Sequence, residues 1–363
     1  KVYFYKTNVN KMYYSKSPIY FLFFFISIAN LLAQKPINVI FFIGDGTGLP
    51  QISAGNYVND NHTAFEDFQY IGLSKTHSYD NLVTDSAASG TAMSSGMKTH
   101  NRVIGLDENK NPIPNILELC QSNGYKTALI ATSTILHATP ASFFAKVSSR
   151  YKYEEIAFQL TKSEVDYFMG GGKKYFTSRK DNRNLLLEDN TRTYVSSIGE
   201  FEKSSAEKIG YFTANDDPKT ILEGRNPSLS KMLLATLEKV ALQDSPFFIM
   251  VEGSQIDWGG HDNDIDYVLS EFKDFNESIQ AALDFAKKNK NTLIVVTGDH
   301  ETGGLAISGG EMENNKIKTV FSTTGHTAIM IPVFSYGPHS DEFKGIYDNT
   351  QIFHKFKKSL AFD

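Results

Sequence analysis

The sequence predicts an α/β protein, a three-layer α/β/α sandwich around a central and mostly parallel sheet. Two observations carry this. Continuous apolar runs recur along the chain, each bounded by glycine or polar turns, as expected of strands buried on both faces. Between them lie stretches of helical periodicity, and alternation of the two kinds of segment implies a sheet between helical layers.

The runs are NVIFFIG (38–44), KTALIAT (126–132), PFFIMVEG (246–253), NTLIVVTG (291–298) and TAIMIPVFSYG (327–337). The clearest helix is 267–288, with apolar residues at 268, 272, 275, 279, 283 and 286 forming one stripe. PNILELCQSNG reads as a helix ended by Gly124 that buries the single cysteine, Cys120; one cysteine allows no intrachain disulfide. The polar stretch 173–226 reads as a surface insertion, and 308–321 as a short exposed loop or hairpin.

Near the start, Lys11 and Lys16 flank Met12, and an almost wholly apolar stretch then runs from Ile19 to Ala33. A charged start, about 15 apolar residues and a small residue at the end fit a secretory signal, and the run is short for a membrane span. The expected organisation is therefore a signal peptide with upstream residues over 1–33 and a single domain over 34–363, periplasmic or secreted, with no membrane association after cleavage. A net charge of -5 argues against a dedicated nucleic-acid partner but leaves a locally positive site for small anions possible.

Potential metal ligands collect at the ends of the apolar runs. NVIFFIG leads into Asp45, FFIMV into Glu252 and then Asp257 and His261, TLIVVTG into Asp299 and His300, and ALIAT shortly into His137 and Thr139. The fifth run is instead preceded by His326. Taken alone, an Asp after a strand caps a helix and a lone His is a structural residue. Together they fit the rule that α/β sheets bind ligands beyond the carboxyl ends of their strands. His with carboxylate suits Zn²⁺, an all-oxygen set suits Mg²⁺, and paired ions suit in-line displacement at phosphorus. In VTDSAASGTAMSSGMKTHN (83–101), Ser86 opens a run of small residues, where a helix N-terminus would favour an anion. Arg150 is one of few arginines in the chain, and its fork suits phosphate.

With GDGTG, TDSAASGTA, HATPASFFA, EGSQIDWGGH, TGDHETGG and TGHT in this order over about 37–355, the chain resembles the bacterial alkaline phosphatases, and among them the compact enzymes of cold-adapted marine bacteria. The resemblance implies a phosphomonoester hydrolase working at alkaline pH through a phosphoserine at Ser86, with Arg150 clamping the phosphate. It implies two Zn²⁺ and one Mg²⁺ per subunit. Asp257, His261 and His326 would hold one zinc. Asp45, Asp299 and His300 would hold the other, with Ser86 as a further ligand. Asp45, Thr139 and Glu252 would hold the magnesium. It also implies small phosphate monoesters as substrates and a homodimer. His137 and Trp258 stand where the most familiar enterobacterial member has an acidic residue and a lysine, which alters the surroundings of the magnesium and phosphate sites. The alternatives are a phosphodiesterase or related hydrolase of the same superfamily, or an exported protein that binds metal or phosphate without turnover.

Overall fold

Strand β1 (Asn38–Gly44) is buried along its whole length, and its side chains alternate between two cores. Val39, Phe41 and Ile43 belong to one, while Ile40 and Phe42 belong to the other. That alternation makes β1 the middle of a sandwich. The structure is a computed structural model that describes residues 1–6 and 36–362. Contacts divide the chain into units 1–36 and 37–363; in the first, residues 1–6 have no helix or strand, and the apolar segment expected as an export signal lies outside the described residues.

In the second unit, β2 (Tyr70–Lys75), β3 (Lys126–Thr134), β4 (Tyr167–Gly171), β5 (Thr193–Val195), β6 (Ile209–Phe212), β7 (Phe247–Gly253) and β8 (Thr292–Gly298) follow. Two short pairs, β9 (Glu301–Thr302) with β12 (His326–Thr327) and β10 (Leu305–Glu311) with β11 (Lys316–Phe321), stand apart from the main sheet. β13 (Ile331–Tyr336) and β14 (Gly345–Asp348) complete it. The ten strands run in the order β14-β2-β13-β8-β1-β7-β3-β4-β6-β5. Every neighbouring pair is parallel except those of β13, which runs antiparallel to β2 and β8. The expected mostly parallel α/β sandwich is the fold observed.

Helices cover both faces. Ser86–Ser95, Ile116–Ser122 and Thr350–Leu360 supply Met93, Ile116, Cys120 and Phe356 to one core. Leu229–Ala241 and Ile265–Lys288 supply the other. The long helix begins at Ile265, where the Asp264 carboxylate accepts from the amides of Asp266 and Tyr267. It buries Val268, Phe272, Phe275, Ile279, Leu283 and Ala286, the stripe read from the sequence. The segment 173–226 carries short helices together with β5 and β6, which close one end of the sheet, and 308–321 falls in the exposed β10–β11 hairpin.

The register at the centre sets up the site. Gly44 of β1 pairs with Gly253 of β7 on one side and Gly298 of β8 on the other. A methyl group at Gly298 would come within 2.2 Å of the Thr47 carbonyl oxygen. The chain after β1 can therefore fold tightly over this row, and Asp45, Glu252 and Asp299 emerge side by side. Phe275 packs edge-on against Phe42, with centroids 5.9 Å apart. Phe275→Ala is expected to lower stability by about 3–5 kcal/mol without a change in m-value, measured by denaturant unfolding.

Candidate metal centre and phosphate pocket

All sequence-selected acidic and imidazole residues arrive at one edge of the sheet. Asp45 follows β1, Glu252 is the last residue but one of β7, and Asp299 and His300 follow β8. Asp257 and His261 lie four apart on the helix Gln255–His261, hence on one face. His326 precedes its strand rather than following it because β13 is antiparallel, so its beginning lies at the edge where the parallel strands end. The β9–β12 pair then sets His326 opposite Thr302 and stacks its ring on that of His300, with centroids 3.5 Å apart.

Three groups of donor atoms lie close enough to share an ion: Asp257, His261 and His326; Asp45, Asp257 and His300; and Asp45, His137 and Glu252. The first is the trio expected for one zinc. In the second, Asp257 stands with Asp45 and His300, while the expected Asp299 places Oδ2 3.1 Å from His300 Nε2. In the third, His137, expected only beside the magnesium site, joins Asp45 and Glu252; Thr139, fully buried in the turn Ala138–Ala141, sits two residues further on. Gly46 makes the approach possible. It has φ 69°, and a methyl there would meet the Asp257 backbone at 2.7 Å.

These residues fit metal ions on electrostatic grounds. Asp45, Glu252, Asp257 and Asp299 are all buried. Both carboxylate oxygens of Asp45 and Oε1 of Glu252 have no hydrogen-bond partner among the described residues. Unpaired buried carboxylates are costly unless a cation neutralises them. Accordingly, burial and then the charges of Asp299, Asp257 and Glu252 push Asp45 well above the usual carboxylate range. Burial pushes Glu252 up to about 8 against the hydrogen bond from Ser254. Asp257 is held low despite burial by the hydrogen bond from His261 and the nearby His300 and His326. The hydrogen bond to Asp257 raises His261 to about 9. Burial, with Arg150 adding to it, lowers His137 to about 3, and burial with the charge of His300 lowers His326 to about 4.

Ser86 is the first residue of the buried helix Ser86–Ser95, capped by the Asp85 carboxylate, which accepts the Ala88 amide at 3.0 Å. Its Oγ lies 3.3 Å from His300 Nε2. Arg150 donates through Nη1 to Asp85 at 3.2 Å and places Nη2 3.1 Å from His137 Nε2. Ser86, Arg150, His137, Trp258, Asp257, His261 and His326 line one cavity of about 510 Å³, and Trp258 meets His137 edge-on at its wall.

A family model described as alkaline phosphatase matches residues 36–319. The chain belongs to the alkaline phosphatase family. Alkaline phosphatases act on phosphate monoesters, and this chain is an enzyme of that kind. It is 35% identical to alkaline phosphatase 3 of Bacillus subtilis (strain 168), over 90% of this chain and 89% of that one. It is 27% identical to the alkaline phosphatase of Escherichia coli (strain K12), over 92% of this chain and 88% of that one. Among solved structures it is similar to the alkaline phosphatase of the Antarctic bacterium TAB5, at TM-score 0.86 and 43% identity over 91% of this chain and all of that one. It is also similar to the cold-active enzyme of Shewanella sp., at TM-score 0.83 and 27% identity over 89% and 100%. A variant of the Antarctic enzyme has Mg bound in its M3 site.

Two residues that sequence reasoning passed over support the centre. Ser254 donates to Glu252 Oε2 at 2.6 Å, leaving Oε1 free to face an ion. Thr302 Oγ donates to Asp257 Oδ1 at 2.5 Å and lies 3.2 Å from His300 Nδ1. With His300 Nε2 presented to a metal, Nδ1 carries the proton and donates it to Thr302, whose own proton goes to Asp257. One hydroxyl thus orients ligands of two groups. Thr302→Val is expected to weaken metal binding about 10–100-fold in chelator competition, with Thr302→Ser retaining most of it; unchanged affinity in the valine variant would contradict this role.

Metal-free protein has a further signature. Between pH 6.5 and about 8, Glu252 and His261 hold protons in the fold that the unfolded chain has released, since their folded values are raised from 4.5 and 6.5. The folded state binds more protons there, so stability falls as pH rises. His137 and His326, shifted the other way, act below 6.5. Thermal scans of chelator-treated protein are expected to show Tm dropping from pH 6.5 to 8.5, and metal-loaded protein should lack that drop.

Proposed function

We propose that this enzyme hydrolyses phosphate monoesters at alkaline pH through a phosphoserine at Ser86, with two zinc ions and one magnesium. The observation that carries the reading is the position of Ser86. Its hydroxyl stands at a buried helix N-terminus, 3.3 Å from His300, in the cavity that also holds Arg150.

Asp257, His261 and His326 would hold one zinc, Asp45, Asp299 and His300 the other, and Asp45, Thr139 and Glu252, with His137 beside them, the magnesium. When bound, these ions supply the positive charge and Lewis acidity that ionise Ser86 and ease charge build-up at phosphorus. The amides of Ser86 and Ala87, at the start of the helix, have no intrahelical acceptor and point their dipoles at the phosphoryl oxygens. Arg150, fixed by Asp85, supplies a fork for two non-bridging oxygens. Ser86 Oγ attacks phosphorus in line and the alcohol leaves. Water then enters from the vacated side, releasing phosphate and restoring Ser86. Two in-line displacements retain configuration at phosphorus.

The same reading takes the chain as exported, periplasmic or secreted, and as a homodimer. Among the described residues no helix is long and apolar enough to cross a membrane. Pairing is supported by exposed Leu82, Val83, Ile329 and Met330, on segments joined by the bond between His326 Nδ1 and the Thr84 carbonyl; sedimentation of the zinc-loaded protein should give twice the chain mass.

Hydrolysis of p-nitrophenyl phosphate should exceed that of its bis-ester by orders of magnitude, and Ser86→Ala should reduce it about 10³-fold or more. Acid quenching during turnover should leave phosphate on the peptide containing Ser86, read by mass spectrometry. Diester preference would transfer the reading to a sister activity, and turnover surviving in Ser86→Ala would overturn the phosphoserine route.

A further inference from the structure

The chain has six arginines, and they are not used alike. Arg150 pairs with Asp85, Arg179 with Asp181, Arg183 with Glu188, Arg192 with Asp189, and Arg225 with Glu271 and Asp274. Among the described residues, Arg102 alone has no carboxylate within ion-pair distance. Its guanidinium lies instead over the Tyr151 ring, 5.9 Å from the centroid. Both side chains are exposed, and both line the cavity that holds Ser86 and Arg150.

The backbone of Arg102 is part of the site. Its amide donates to both oxygens of the Asp85 carboxylate at 3.0 Å, and its carbonyl accepts the Arg150 amide at 2.7 Å. The residue holds φ 73°, a left-handed conformation unfavourable for a side chain with a Cβ. Asp85, next to the nucleophile, thus anchors both arginines: Arg150 through its guanidinium and Arg102 through its backbone. The charged end of Arg102 is left at the rim, steadied by the tyrosine face. Arg150 already spends Nη1 on Asp85 and sets Nη2 against His137, whereas no carboxylate among the described residues engages the Arg102 guanidinium, whose fork is open to a phosphate.

We propose that Arg102 is a specificity-determining residue that binds a second phosphate of the substrate, attached to the one being transferred. The inference rests on the phosphomonoesterase reading and names a substrate class for it, compounds with a terminal phosphoanhydride, of which inorganic pyrophosphate is the simplest. In that reaction the Ser86 Oγ–P bond forms, and the bridging P–O bond breaks. The bridging oxygen keeps the electron pair and leaves as phosphate held by Arg102. Water then cleaves the phosphoserine, giving a second phosphate and returning a proton to Ser86, so that pyrophosphate and one water give two phosphates.

The test compares kcat/KM for pyrophosphate with that for p-nitrophenyl phosphate, whose leaving group carries no second phosphate, in the metal-loaded wild type, Arg102→Gln and Arg102→Lys. The ratio of the two is expected to fall roughly three- to tenfold in Arg102→Gln, the size of one exposed charge contact, chiefly through KM for pyrophosphate. Arg102→Lys should keep part of it, and the difference should shrink at high salt. An unchanged ratio in Arg102→Gln, whether or not both activities fall together, would overturn the assignment. Failure of the wild type to turn over p-nitrophenyl phosphate would instead overturn the underlying monoesterase reading, and this inference with it.

Discussion

The structure is organised around buried negative charge at one edge of the sheet. Asp45, Glu252, Asp257 and Asp299 meet there with almost no exposure. Of the cationic side chains, Arg150 reaches them from one side, and its own carboxylate partner is Asp85. Four carboxylates at such distances cannot all ionise in a low-dielectric interior without compensation. The suppressed ionisation of Asp45 and Glu252, both pushed above the usual carboxylate range, expresses that conflict directly. Cations held there would resolve it, and the same cations would provide what phosphoryl transfer requires.

Most of the fold can be understood as the means of bringing these groups together. Parallel strands present their carboxyl ends on one side, and the glycine row at 44, 253 and 298 lets three of the carboxylates stand adjacent. The one antiparallel strand returns the chain to the same edge, so that His326 joins from the opposite direction. Hydroxyls complete the arrangement. Ser254 turns Glu252, and Thr302 links Asp257 with His300. Asp85 ties the helix that carries Ser86 to Arg150 and to Arg102.

The central strands and the long helix were legible in the sequence because burial on both faces, or on one stripe, writes itself into residue order. The candidate ligands were legible because each follows or precedes such a run. The edges were not. β2 and β14 at one end, and β5 and β6 at the other, are short or partly exposed and carry no continuous apolar run. The stretch 173–226, read as a surface insertion from its polarity, holds β5 and β6, which join the sheet through the pairing of β6 with β4 rather than through a local pattern. Thr302 and Ser254 were passed over because a lone hydroxyl has no characteristic spacing, and its value lies in partners distant in the chain, such as Asp257 forty-five residues from Thr302. Grouping of the ligands also goes beyond spacing: Asp257 stands between two groups, and His137 turns toward Asp45 and Glu252.

Asp45 belongs to two of the three groups, with Asp257 and His300 in one and with His137 and Glu252 in the other. Elemental analysis of metal bound per chain, for the wild type and Asp45→Asn after equilibration with zinc and magnesium, therefore tests the account most directly. The account predicts that the single substitution empties two sites together and leaves the ion held by Asp257, His261 and His326. A variant that keeps the full wild-type complement would contradict it.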